Sequence, residues 1–233
     1  MRLFVAVLPP PAAVRELAAA VAPLRRLPGA DRLRWTRPED WHLTLAFLGE
    51  VPDSVRPGLD ERLARAARRH PPHTLRLAGG GRFGDHVLWT AAAGERAALE
   101  GLARSLRAGA RRAGAPADEG HPFRSHLTLA RTARSASVRL GPFAEELASF
   151  EGTPWEVGEA ALVVSVPPRS GAPGERPRYE VAASWPLGRP SGAGEQPDTP
   201  GGPGPGSPYG DGGAEAPGSA EADPGAGGPR AAG

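Results

Sequence analysis

Two tetrapeptides, His42-Leu43-Thr44-Leu45 and His126-Leu127-Thr128-Leu129, alternate polar and apolar residues strictly, the period of a half-buried strand. In each, His and Thr share one face and the two leucines the other. The pattern around them predicts a definite order of elements. The continuous apolar run Leu3 to Leu8 predicts a strand buried on both faces. Val14, Leu17, Val21 and Leu24 recur at helical spacing and predict a helix over 12–27, opened by prolines 9–11 and stopped by Pro28-Gly29. Leu33-Arg34-Trp35 precedes the first motif strand, which runs to Leu48. A turn over 49–52 leads to Asp53 as N-cap of a helix carrying Val55, Leu59 and Leu63, ending near Arg69. A short strand, His73 to Ala78, then reaches a loop at Gly79-Gly80-Gly81.

The chain then repeats itself. His86 to Ala92 predicts a strand, and Leu99, Leu102 and Leu106 a helix ending near Gly114. The second motif strand follows. Phe143, Leu147 and Phe150 predict a short helix, and Trp155 to Val166 a strand. A shift of 84 carries His42 onto His126, strand 3–8 onto 87–92, helix 12–27 onto 96–111 and strand 73–78 onto 157–162. Such self-similarity marks an internal duplication. The fold class expected is α+β: a bilobal, duplicated β-α-β-α-β unit with antiparallel sheets lining a central cleft. The pseudo-repeats span about 1–80 and 85–166, and a final strand at 178–186 completes a catalytic domain over 1–188.

Residues 190–233 contain 14 Gly and 9 Pro and no Leu, Ile, Val, Phe or Trp. That composition cannot offset its own ordering entropy, so 189–233 is expected to be a disordered acidic tail. The tail carries six acids and one arginine, a balance of −5, which leaves residues 1–189 at +7. A moderately basic body suits a phosphate-bearing ligand. All 28 basic side chains are Arg, however, a bias of composition that weakens any inference from their number. There is no cysteine, which excludes disulfides and thiolate chemistry. The opening run is too short for a signal peptide and no apolar stretch approaches a membrane span. A soluble, cytoplasmic protein is therefore expected, with no membrane association.

Imidazole titrates near 6.5, so a histidine pair can supply both a proton donor and a proton acceptor at neutral pH. Hydrolysis of a phosphodiester needs a base to activate water and an acid to protonate the leaving alkoxide, on opposite sides of phosphorus. Two histidines on facing strands meet that need without a metal, and Thr44 and Thr128 can donate to the non-bridging oxygens. A lone His-x-Thr on a strand is ordinarily structural. Two copies at matching positions of a duplication argue for function.

This pair of motifs resembles the two-histidine (2H) phosphoesterases, and within them the RNA 2′,3′-cyclic phosphodiesterase (2′–5′ RNA ligase-like) family. The resemblance extends over Arg2 to Val7, Arg34 to Val51, Phe123-Arg124, His126 to Arg131 and Tyr179-Glu180-Val181. It implies opening of an RNA 2′,3′-cyclic phosphate to a 2′-phosphate, with His42 as proton donor and His126 as proton acceptor. It also implies a phosphate contact from Arg131. Strict alternation from His126 and Thr128 puts Ala130 on the cleft face, so Arg131 reaches phosphate only if the strand ends or bulges there. Ser125 stands where the family often has proline, and the loop 167–178 is left unassigned.

No cofactor and no metal are expected: Pro71 and Pro72 forbid the helix that would aim His70 and His73 at one ion. His86 and His121 look like strand-end and loop residues. Trp35, Trp41, Phe83 and Trp89 are candidates for a base-stacking platform, although each suits a core equally. The three glycines at 79–81 lack the Lys-Ser or Lys-Thr of a P-loop. Substrates are expected to be RNA ends or small cyclic nucleotides, acted on by a monomer with no obligate protein partner. Other open functions are cleavage or ligation of 2′–5′-linked oligonucleotides, turnover of other small cyclic phosphates, and non-catalytic binding of RNA ends or nucleotides.

Overall fold

In the computed structural model the described residues are 1–117, 123–132, 138–167 and 177–188, all within the unit Met1–Ala193. The anticipated tail at 189–233, His121 and most of the loop 167–178 lie outside them. The described residues form β1 (Arg2–Val7), α1 (Pro11–Val21), β2 (Leu33–Trp35), β3 (Leu43–Glu50), α2 (Arg56–Ala67), β4 (His73–Phe83), β5 (Val87–Gly94), α3 (Arg96–Arg112), β6 (His126–Thr132), α4 (Gly141–Glu146), β7 (Trp155–Val157), β8 (Glu159–Val166) and β9 (Arg178–Pro186). The duplicated mixed fold is present.

The strands join in one antiparallel sheet of order β7-β4-β5-β6-β3-β1-β8-β9, with β2 added on β6. Both lobes therefore share a sheet, and the third strand of each repeat crosses over. β4 of the first repeat pairs with β5 of the second, and β8 of the second pairs with β1 of the first. Glycine 158 separates β7 from β8, which lie far apart in the strand order. Its carbonyl accepts from Leu187 beyond the far edge strand (2.8 Å). The sheet is thus curled until its two ends approach at this corner.

Alternation sorts the side chains. Leu3, Val5 and Val7 of β1 join the main core with Leu17 and Val21 of α1, Leu59 and Leu63 of α2, and Leu99, Leu102 and Leu106 of α3. Each leucine so buried contributes about 1.5–3 kcal/mol relative to exposure. The other face of β1 and β8 carries a small separate cluster, Phe4, Ala6, Ala161 and Val163. The opening strand is indeed buried on both sides. Among the described residues no helix is long and apolar enough to cross a membrane.

Three local expectations are corrected. The first helix ends at Val21, and Pro23–Arg26 forms a separate 3-10 turn, because Pro23 has no N–H to continue the ladder. Asp53 does not cap a helix: it begins a 3-10 turn, and α2 starts at Arg56 with Pro57 in its first turn. The glycines at 79–81 are not a loop but part of β4. Gly79 is a bulge residue at φ +62°, its carbonyl accepting from the Thr90 hydroxyl (2.7 Å). A Cβ on Gly80 would fall 2.6 Å from Leu147 Cβ, and one on Gly81 would fall 2.2 Å from the Trp89 ring. The glycines let α4 and an indole lie directly on the strand.

Gly81→Ala is predicted to destabilise the fold by about 1–3 kcal/mol, the range for overpacking a filled site. Gly58→Ala, in α2 with nothing within 4 Å of the added methyl, is predicted to stabilise by about 0.5–1 kcal/mol. Urea unfolding midpoints at constant m-value measure both; a Gly81→Ala midpoint at or above wild type would contradict the packing described.

Candidate active site

The motif strands β3 and β6 touch through a single ladder pair, Leu43 with Leu127, which are equivalent residues of the two repeats. Both side chains are buried, at 1% and 0% exposure, and fix which face of each strand turns inward. Continuing the antiparallel register one residue each way sets His42 opposite Thr128 and Thr44 opposite His126. All four line one cleft of about 350 Å³, together with Arg131, Asp40, Phe4 and Tyr179. Every residue predicted for the site from sequence is brought to it.

Arg131 arrives there through a bulge. Thr128 pairs with Trp89 and Ala130 with Leu88, so Leu129 is an extra residue and alternation slips by one. Ala130 turns into the core at 0% exposure and Arg131 faces the cleft. The first repeat has the same device: Thr44 pairs with Ala6 and Ala46 with Val5, leaving Leu45 as the extra residue. Phe47 then occupies the position equivalent to Arg131. Val5 faces Ala46 where Leu88 faces Ala130, so the first strands superpose one residue short of the motif offset.

Each imidazole is anchored alike. His42 Nδ1 lies 2.7 Å from the Asp40 carbonyl and His126 Nδ1 lies 2.7 Å from the Arg124 carbonyl. A carbonyl oxygen only accepts, so Nδ1–H donates in both rings. Nε2, with its lone pair, is left as the nitrogen open to a ligand. His42 is packed between the rings of Phe4 (4.7 Å between centroids) and Tyr179 (5.2 Å, edge-on). His126 meets Phe83 edge-on at 4.9 Å and Trp89 at 6.3 Å. Among the described residues neither threonine hydroxyl has a protein hydrogen-bond partner, nor Arg131 a carboxylate.

Electrostatically the two histidines differ. Burial pushes the His42 imidazole below its ordinary value, opposed by its bond to the Asp40 carbonyl and by the Asp40 charge, while His126 and Arg131 add to the lowering. Burial also lowers His126, opposed by its bond to the Arg124 carbonyl, while the Arg131 and Arg124 charges both disfavour the imidazolium. So the residue holding the first ring is an acid and the residue holding the second is a base. Asp40 is fixed by Arg37, whose Nε donates at 2.8 Å and NH2 at 3.3 Å. Burial pushes the Tyr179 phenol up, keeping it a donor. Sequence reasoning passed over the Asp40/Arg124 contrast; the signal was available, since both lie two residues before a motif histidine.

A second hollow of about 660 Å³ adjoins the cleft across Thr44, Phe47 and His126. Its walls include Phe83 and Phe123, with Arg82, Arg107 and Arg124. Of the aromatics considered for stacking, Phe83 and Trp89 lie beside His126. Trp35 and Trp41 belong to the core, Trp35 Nε1 donating to the Ala30 carbonyl (3.0 Å). His70 Nε2 meets Ser105 Oγ at 2.8 Å, and His73 Nδ1 the Pro71 carbonyl at 3.3 Å. His86 stands in the turn before β5.

Comparison with known proteins agrees with this architecture. The family model described as LigT like Phosphoesterase matches twice, over residues 7–89 and 91–172, the second match starting 84 residues after the first. An RNA 2′,3′-cyclic phosphodiesterase of Geobacillus stearothermophilus is 35% identical over 167 residues. That alignment covers 68% of this chain but 49% of the relative, so the chain spans about half of that protein's length. A protein of the same name from Thermus thermophilus is 35% identical over 173 residues, 71% of this chain and 82% of the relative. Among solved structures, E. coli LigT complexed with 3′-AMP superposes with a TM-score of 0.62 at 29% identity, over 81% of this chain and 98% of that one.

In an NMR titration of the ring nitrogens, both neutral imidazoles are predicted to be Nδ1–H tautomers titrating below 6.5. Asp40→Asn is predicted to lower the His42 pKa further, and Arg124→Gln to raise that of His126. Shifts of the opposite sign would refute the electrostatic contrast.

Proposed function

The chain belongs to the LigT-like phosphoesterase family, and from that premise we propose that it hydrolyses RNA 2′,3′-cyclic phosphate termini to 2′-phosphomonoesters by metal-independent acid–base catalysis. The feature that supports this above all is the matched pair of imidazoles. Each is held at Nδ1 by the carbonyl two residues before it, and each leaves Nε2 for one shared cleft. A binding protein for RNA ends has no need of two rings held in that state.

In the proposed step, His126 Nε2 takes a proton from water as the water oxygen bonds to phosphorus. The bond from phosphorus to O3′ breaks on the opposite side, and His42 Nε2–H protonates that oxygen. A 2′-phosphate and a 3′-hydroxyl result, with His126 protonated and His42 neutral until they exchange with solvent. Thr44, Thr128 and Arg131 donate to the non-bridging oxygens, where negative charge accumulates. The Asp40 charge favours the imidazolium that a donor needs, and the Arg124 charge favours the neutral ring that an acceptor needs. One chain carries both motifs, so a monomer suffices. The catalytic unit is residues 1–188, and the compartment proposed is the cytoplasm, where an RNA substrate is met.

With EDTA present, 2′,3′-cyclic AMP is predicted to yield 2′-AMP. His42→Ala and His126→Ala are each predicted to lose about 10²–10⁴-fold in kcat, and the double variant scarcely more than either. Turnover that needs a divalent metal, or ligand binding with no turnover, would refute the mechanism. The acceptor must be neutral and the donor protonated, and both pKa values are lowered, so the bell for kcat/KM is predicted to peak below 6.5. Bound phosphate is anionic and favours both imidazolium forms, so the limbs of the kcat profile are predicted to lie at higher pH.

A further inference from the structure

Chemistry on a cyclic phosphate uses the 350 Å³ cleft and leaves unexplained the neighbouring hollow of nearly twice that volume. Its lining combines apolar surface with cations. Phe47, Phe83 and Phe123 supply rings, and Arg82, Arg107 and Arg124 supply guanidinium groups from three separate segments. Among the described residues no carboxylate lines it. Arg82 is paired with Asp85 (3.3 Å), and Arg124 lies over the Phe83 ring at 5.7 Å. Arg107 differs. It projects from α3, its Nε donating to the Ala103 carbonyl (3.3 Å) and its guanidinium lying 5.5 Å over the Phe123 ring. It has no carboxylate partner among the described residues. Helix and ring therefore hold this cation beside a π-face, the pairing that binds a single nucleic-acid strand through one base and one phosphate.

On the cyclic phosphodiesterase function proposed above, we infer that this hollow receives the nucleotide on the 5′ side of the cyclic end. Arg107 holds the intervening phosphodiester and Phe123 stacks on that nucleotide's base. A terminal nucleoside with its cyclic phosphate in the cleft crosses the wall shared at Thr44, Phe47 and His126, and its 5′ substituent points toward Arg107.

The test compares kcat/KM for 2′,3′-cyclic AMP and for the dinucleotide ApA ending in a 2′,3′-cyclic phosphate, with the full chain at two salt concentrations. Wild type is expected to favour the dinucleotide about ten-fold, as one charge-assisted phosphate contact allows. The preference should shrink with salt, by a slope of about 0.7 for one strand phosphate. In Arg107→Gln the ratio should fall toward one, and Arg107→Lys should restore much of it. Reading the ratio cancels any loss of folded protein. Equal kcat/KM for the two substrates in wild type, or a ratio that survives Arg107→Gln, overturns the subsite and leaves the cyclic phosphodiesterase standing. No turnover of either substrate overturns both.

Discussion

The two halves of this sheet are joined across the cleft by one ladder pair, Leu43 with Leu127. These residues are equivalent in the duplication, so the local two-fold axis of the repeat passes through their contact. One buried pair sets the inward face and the register of both strands at once. A slip of one residue on either strand would turn its histidine and threonine toward the helices. The short contact matters as well as its register. Because the strands pair no further, their polar faces can separate and leave room for a ligand between the histidines.

Around that joint the repeats are interlaced. Each third strand hydrogen-bonds to the first strand of the other repeat, and β7 and β8 leave Gly158 for distant places in the sheet. Neither half owns a complete lobe, so neither can close its core alone. The paired bulges at Leu45 and Leu129 re-aim the strand beyond each threonine, keeping the core filled by Ala46 and Ala130 while Phe47 and Arg131 turn outward.

Symmetry supplies the pair of rings, and departures from symmetry make them unequal. The carbonyl that orients each imidazole belongs to an aspartate in one repeat and an arginine in the other. Beyond the bulge stands a phenylalanine in one and an arginine in the other. Strand β9 has no counterpart in the duplication, and its Tyr179 packs on Phe4 and on His42, the histidine of the first repeat. The two imidazoles thus sit in different electrostatic surroundings on a scaffold that would otherwise make them identical.

The sequence by itself determined the duplicated order of elements, the two motif strands and the placing of His42, Thr44, His126 and Thr128 on the faces opposite the buried leucines. These follow from periodicity, which is a local property of the chain. It left Arg131 undecided, since alternation alone favours Ala130, and it misread Gly79-Gly80-Gly81 as a loop. Those two points depend on a bulge and on what packs against a strand, and neither leaves a mark in hydrophobic period. Only the tertiary structure decided that the third strands cross and that Leu43 meets Leu127. It alone brought Phe4, Phe83 and Tyr179 to the histidines, and Arg107 to the neighbouring hollow. Such contacts join residues far apart in the chain, where pairing geometry and shape, rather than local preference, select the neighbour.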